Sequence, residues 1–89
     1  MIRQPVTIIN KLGLHARAAA KLVGTASRYE SRIQIVRDGR EVDCKSIMSV
    51  MMLAASRGTE IELVIDGTDE AEARDALVEL IGDYFGEGE

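Results

Sequence analysis

The sequence predicts an α+β fold. It is an open-faced sandwich in which a four-stranded antiparallel sheet carries three helices on one face, in the order βαββαβα. Three observations lead there. Glu60 to Asp66 alternates with a period of two, with Ile61, Leu63 and Ile65 on one face and Glu60, Glu62 and Asp66 on the other, as in a half-buried antiparallel strand. Asp38-Gly39 lies between two extended runs and signals a tight hairpin. Two further segments place apolar residues at helical spacing: Ala19, Leu22, Val23 and Ala26 in one, and Ala73, Ala76, Leu77, Leu80, Ile81 and Tyr84 in the other. A ferredoxin-like split βαβ is a relative of this pattern, with one fewer helix.

Taken in order, Ile2 to Ile9 is the first strand; Pro5 suits an edge strand or a strand start. Asn10 to Leu14 is a turn, and a helix runs from Ala16 to Ser27, in which Gly24 costs roughly 1 kcal/mol of helix propensity unless it permits close packing. Arg32 to Arg37 and Arg40 to Asp43 are the hairpin strands. Ser46 is a favoured N-cap for a second helix, running through Ala55 to a stop at Gly58. This helix is apolar nearly all round. A chain of 89 residues cannot bury a helix on every side, so some of Ile47, Met48, Met51 and Met52 must face water, and an exposed Met-rich patch suits an adaptable partner surface. Thr68 or Asp69 caps the third helix, and Asp69 with Glu72 has capping-box spacing. Gly86-Glu87-Gly88-Glu89 reads as a frayed tail.

The whole chain, 1–89, is read as one domain. With three aromatics and no Trp, it lacks the stacking platforms of a nucleic-acid binder. The single Cys44 excludes a disulfide framework and a multi-cysteine metal site, and fits a reducing compartment. No apolar run approaches a membrane span of about 20 residues, so a cytoplasmic protein is expected. The net charge of −4 is uneven. Residues 1–45 hold nine Lys/Arg against four Asp/Glu, and residues 46–89 hold two against eleven. Such a gradient can steer an anionic ligand or a partner to one face.

The chemistry concentrates at His15, the only histidine. It stands where a turn gives way to a helix, next to unpartnered backbone N–H groups and the positive end of the helix dipole. That is an anion site. The amides of Ala16, Arg17 and Ala18 would face a bound phosphate, and the planar guanidinium of Arg17 adds a fixed charge. With no second histidine and no cysteine pair, metal binding is not expected. A nucleophilic imidazole carrying a labile phosphoryl group fits better than general acid–base catalysis. A hydrolase pairing His15 with Cys44 ranks far behind, because Cys44 reads as a small, partly buried hydrophobe. Ser46 has two compatible roles, as an N-cap and as a modification site where phosphate would add about two negative charges beside the Met patch.

Gly13-Leu14-His15-Ala16-Arg17 and Lys45-Ser46-Ile47-Met48, together with the βαββαβα order, resemble the HPr family of bacterial phosphoenolpyruvate-dependent phosphotransferase systems, which serve sugar uptake. The resemblance covers essentially the whole chain. It implies a phosphocarrier rather than an enzyme, without cofactor. His15 would take phosphate on Nδ1 from enzyme I and give it to an enzyme IIA domain, with Arg17 assisting. Ser46 would be the target of an HPr kinase/phosphorylase. Ile47, Met48, Met51 and Met52, with Lys45, would dock partners, and the protein would act as a monomer. Many family members have proline after the arginine; here it is Ala18, which keeps an N–H. A nitrogen-branch paralogue, and a regulatory binding module acting through the Ser46/Met48 patch, are the alternatives.

Overall fold

A computed structural model describes residues 1–89. Strand β1 spans Ile2–Thr7, helix α1 Ala16–Ala26, strand β2 Arg32–Arg37, strand β3 Arg40–Asp43, helix α2 Ile47–Met52, strand β4 Glu60–Asp66 and helix α3 Glu70–Gly82, followed by one 3-10 turn at Tyr84–Gly86. The sheet is antiparallel throughout, in the order β1-β4-β2-β3. Pro5 is accordingly on an edge strand, where its missing N–H breaks no interior ladder.

The alternation in β4 sets the core. Ile61, Leu63 and Ile65 are buried, and in the neighbouring strand Ile33 pairs with Ile65 and Ile35 with Leu63, so one sheet face is a continuous aliphatic surface. Leu22 and Ala26 of α1 and Leu77 and Ile81 of α3 cover it. Each such Leu or Ile side chain contributes about 1.5–3 kcal/mol on burial.

Several boundaries differ from the sequence reading. β1 ends at Thr7 rather than Ile9; beyond it Ile8 exchanges backbone bonds with the turn before β4, its N–H donating to Thr59 at 2.9 Å and its carbonyl accepting from Gly58 at 2.7 Å. That use of Gly58 removes it as the stop of α2, which closes earlier, at Leu53. Ala54 takes the left-handed conformation (φ 51°), and the carbonyl of Leu53 accepts the Arg37 guanidinium. A Cβ added at Gly24 would meet nothing within 4 Å, so close packing does not require the glycine. Asp69 is the N-cap of α3 but makes no side-chain bond to it; the capping box does not form because its carboxylate is taken by Glu30 and Ser31. Tyr84 leaves the α3 stripe and is exposed, and Phe85 is buried in its place; both have positive φ. Cys44 is fully rather than partly buried.

Candidate functional site

His15 is the N-cap of α1. Its backbone is extended (φ −73°, ψ 177°), its carbonyl accepts from Ala19 at 2.8 Å, and its ring Nδ1 accepts the N–H of Arg17 at 3.3 Å. Histidine thus does what Ser or Asp does at an ordinary cap, offering a lone pair to an orphan donor of the first turn. The amides of Ala16 and Ala18 have no protein acceptor. Nδ1 therefore lies with its lone pair at the positive end of α1.

The approach to the ring is fixed by Gly13. Its φ of 66° is cheap only for glycine, and a Cβ there would lie 2.5 Å from the carbonyl oxygen of Ala55. That close approach lets Leu14 N–H bond Ala55 at 2.9 Å. The His15 turn and the segment just after α2 are thereby locked together. Across this joint, Ile47 (39% exposed), Met48 (67%), Met51 (39%) and Met52 (62%) stand out from the surface while Val50 and Leu53 are buried. The expected apolar patch exists, and it belongs to the same rigid unit as the histidine.

An open cleft of about 620 Å³ surrounds the ring. Lys11, Arg17 and Lys21 bring positive charge to it, and Leu12 adds an exposed apolar side chain that the sequence reading did not single out. Arg17 makes no ion pair and Lys21 donates to the carbonyl of Phe85 at 2.6 Å. No group of three or more His, Cys, Asp or Glu side chains could hold a metal ion. Cys44 lies in the core and does not line the cleft; burial, and next the charge of Asp43, push its thiol up to about 12. That separation removes the geometric basis for a Cys–His pair.

Glu87 is the feature the sequence did not reveal. The segment 86–89 is not frayed. Glu87 Oε2 lies 2.5 Å from His15 Nε2, and Oε1 accepts from Asn10 Nδ2 at 3.0 Å, leaving the Glu87 side chain 14% exposed. Lys11 N–H donates to the Glu89 carbonyl at 3.1 Å. The Glu87 carboxyl is held below its usual range, first by the Asn10 hydrogen bond and then, against the cost of desolvation, by His15 and Lys21. The only available signal was Phe85, an aromatic beyond the helical stripe whose burial draws the chain back across α1.

Ser46 is the N-cap of α2, half-buried, its Oγ accepting from Ser49 N–H at 3.4 Å. Lys45 is half-buried and its Nζ donates to the Tyr29 carbonyl at 2.7 Å, so its ammonium is already engaged within the fold.

A family model for the PTS HPr component phosphorylation site matches residues 2–83. The chain belongs to the HPr family. The Phosphocarrier protein HPr of Cupriavidus necator is 57% identical over 89 residues, and that of Neisseria meningitidis serogroup A 56%, each match covering the whole of both chains. Among solved structures, HPr-C-His from Thermoanaerobacter tengcongensis superposes with a TM-score of 0.95 at 47% identity, covering 98% of each chain. Another structure of HPr from that organism is described as a dimer; it matches at 49% identity with a TM-score of 0.79 and covers 92% of this chain and 94% of that one. This HPr-family chain is a phosphocarrier of the phosphotransferase system, and the full-length likeness to HPr gives no preference to the regulatory-module and nitrogen-branch alternatives. No helix of this chain is long and apolar enough to cross a membrane.

Proposed function

We propose that His15 carries the phosphoryl group, on Nδ1. The observation that supports this is the placement of that lone pair at the start of α1, 3.3 Å from the Arg17 N–H and beside a cleft fringed by Lys11, Arg17 and Lys21. In the transfer the phosphorus–nitrogen bond of a phosphohistidine on enzyme I breaks, its electron pair returns to that nitrogen, and a bond from Nδ1 to phosphorus forms. The reverse arithmetic delivers the group to an enzyme IIA domain. The amides of Ala16, Arg17 and Ala18 and the Arg17 guanidinium stabilise the phosphate oxygens in passage. The protein is consumed and regenerated as a carrier in the cytoplasm, and needs no cofactor or metal.

Partner choice is assigned to the patch of Ile47, Met48, Met51 and Met52, with Lys45 as a minor contributor because its ammonium is tied to Tyr29. Ser46 is the regulatory position, phosphorylated by an HPr kinase/phosphorylase. Its phosphate would bring about two negative charges to the edge of the patch, repelling an acidic partner surface and costing desolvation against an apolar one. Domain 1–89 is sufficient for all of this.

The test is labelling. Enzyme I and phosphoenolpyruvate should label one acid-labile, base-stable site, absent from His15→Ala. Label persisting in that variant would remove the assignment. Ser46→Asp should weaken docking to enzyme I by an amount that shrinks as salt is raised; an unchanged affinity at low salt would remove the electrostatic role.

A further inference from the structure

We propose that Glu87 is a positioning residue for His15, holding the ring so that Nδ1 is the nitrogen that reacts. The proposal rests on His15 being the carrier. It stands on the two ring nitrogens having different partners. Nδ1 faces a donor, the Arg17 N–H at 3.3 Å, and so must offer its lone pair. Nε2 faces an acceptor, Glu87 Oε2 at 2.5 Å, and so must hold the proton. A backbone amide and a carboxylate together select one tautomer, and they clamp the ring at both ends. Either contact alone would leave the ring free to turn.

The carboxylate is itself held. Asn10 Nδ2 binds its second oxygen at 3.0 Å while also tying the Gly13 carbonyl at 2.8 Å, so one buried amide joins the tail to the turn that precedes His15. Phe85, fully buried, and the Lys21 bond to its carbonyl anchor the chain two residues before Glu87; the Lys11 bond to Glu89 anchors it two residues after. The other charged groups around the cleft are Arg17 and Lys21 from α1, Lys11 from the preceding turn and Glu89 from the tail.

The chemistry benefits in both directions. When Nδ1 gives its electron pair to phosphorus, the imidazole with its Nε2 proton becomes a cation. A carboxylate on that proton stabilises the charge where it develops. When the phosphoryl group moves on, the pair returns to Nδ1, and the proton has never left Nε2. No other proton donor or acceptor is needed.

The experiment compares the full-length protein with Glu87→Ala and Glu87→Gln. Rates of labelling by enzyme I and phosphoenolpyruvate are measured against concentration, and the ring tautomer of His15 is read by nitrogen-15 NMR in alkaline solution. Loss of a positioning partner behind a reactive histidine is expected to cost about tenfold in kcat with little change in KM. Glu87→Ala should also raise the share of the Nδ1–H tautomer, whereas Glu87→Gln, whose amide oxygen still accepts from Nε2, should keep the tautomer and lose only the part of the rate due to charge. An unchanged or faster rate in Glu87→Ala, or an unchanged tautomer population, overturns the proposal; a faster rate would make the tail an obstruction. The tautomer is read without any transfer, so a wild-type protein that took no label would end the carrier reading while the positioning was still decided.

Discussion

Asp69 stands at the N-cap of α3, yet its carboxylate serves Ser31, half a chain away. Oδ2 accepts from the Glu30 N–H at 2.8 Å and Oδ1 from the Ser31 N–H at 3.0 Å, with the Ser31 hydroxyl as a further donor. These bonds satisfy the backbone where the chain enters β2. They also hold the Asp69 carboxyl below its usual value, the Ser31 hydroxyl being the largest cause and the Glu30 amide the next. Such a group supports the fold when ionised. Its contribution is complete above the unfolded carboxylate value of about 3.9 and is lost as the pH falls through the lower folded value. Asp69→Ala should therefore lower the denaturation midpoint at neutral pH, and the gap between variant and wild type should close in strong acid. A gap that stayed constant with pH would mean that the charge is not involved.

Gly67 and Gly24 make an opposed pair. A Cβ on Gly67 would sit 2.6 Å from the Cα of Ser31, in a place where backbone must move to admit it. Gly67→Ala should cost about 1–3 kcal/mol. Gly24, mid-helix and with open space around it, should gain about 0.5–1 kcal/mol as Ala. Urea denaturation of the two variants checks both signs.

Cys44 should be inert while the protein is folded. Its thiol is fully buried and pushed up to about 12, so almost no thiolate exists at neutral pH and reagents have no path to it. Alkylation should proceed only as fast as the molecule opens, and should become immediate in denaturant. Rapid alkylation of the native protein would contradict the packing.

The two sides of α2 should separate cleanly under mutation. Met48→Ala and Met52→Ala should leave stability within about 0.5 kcal/mol while weakening the docking of enzyme I. Leu53→Ala, at a position 1% exposed, should cost about 2–5 kcal/mol. Calorimetry and a binding titration on the same variants distinguish a recognition surface from a structural one.

The sheet was legible because its signals are local and mutually consistent. The alternation of Ile61, Leu63 and Ile65 and the Asp38-Gly39 turn each fix a strand without help from elsewhere, and β2, β3 and β4 have the expected bounds. The site was half legible. His15 at the start of α1 could be read from Gly13 on one side and the alanines on the other, and the exposed methionines could be inferred from the impossibility of burying α2 on all sides in so small a chain. Helix ends were less visible. Where α2 stops depends on Arg37, which takes the Leu53 carbonyl, and on Ile8, whose carbonyl takes the Gly58 N–H, and the Asp69 cap was diverted by a partner 38 residues away.

By itself, then, the sequence determined the order of elements, the histidine at a helix start and the apolar side of α2, since each is set by periodicity, turn chemistry or the size of the chain. Tertiary structure alone decided what lies against the other side of the histidine. Gly86-Glu87-Gly88-Glu89 has no period and no apolar side chain, so nothing in it specifies a conformation. It is ordered from outside. Phe85 buries itself through a left-handed turn with its carbonyl on Lys21, and Asn10 and Lys11 bind Glu87 and Glu89. A carboxylate 72 residues from His15 in the chain reaches its ring only because those distant groups close around it.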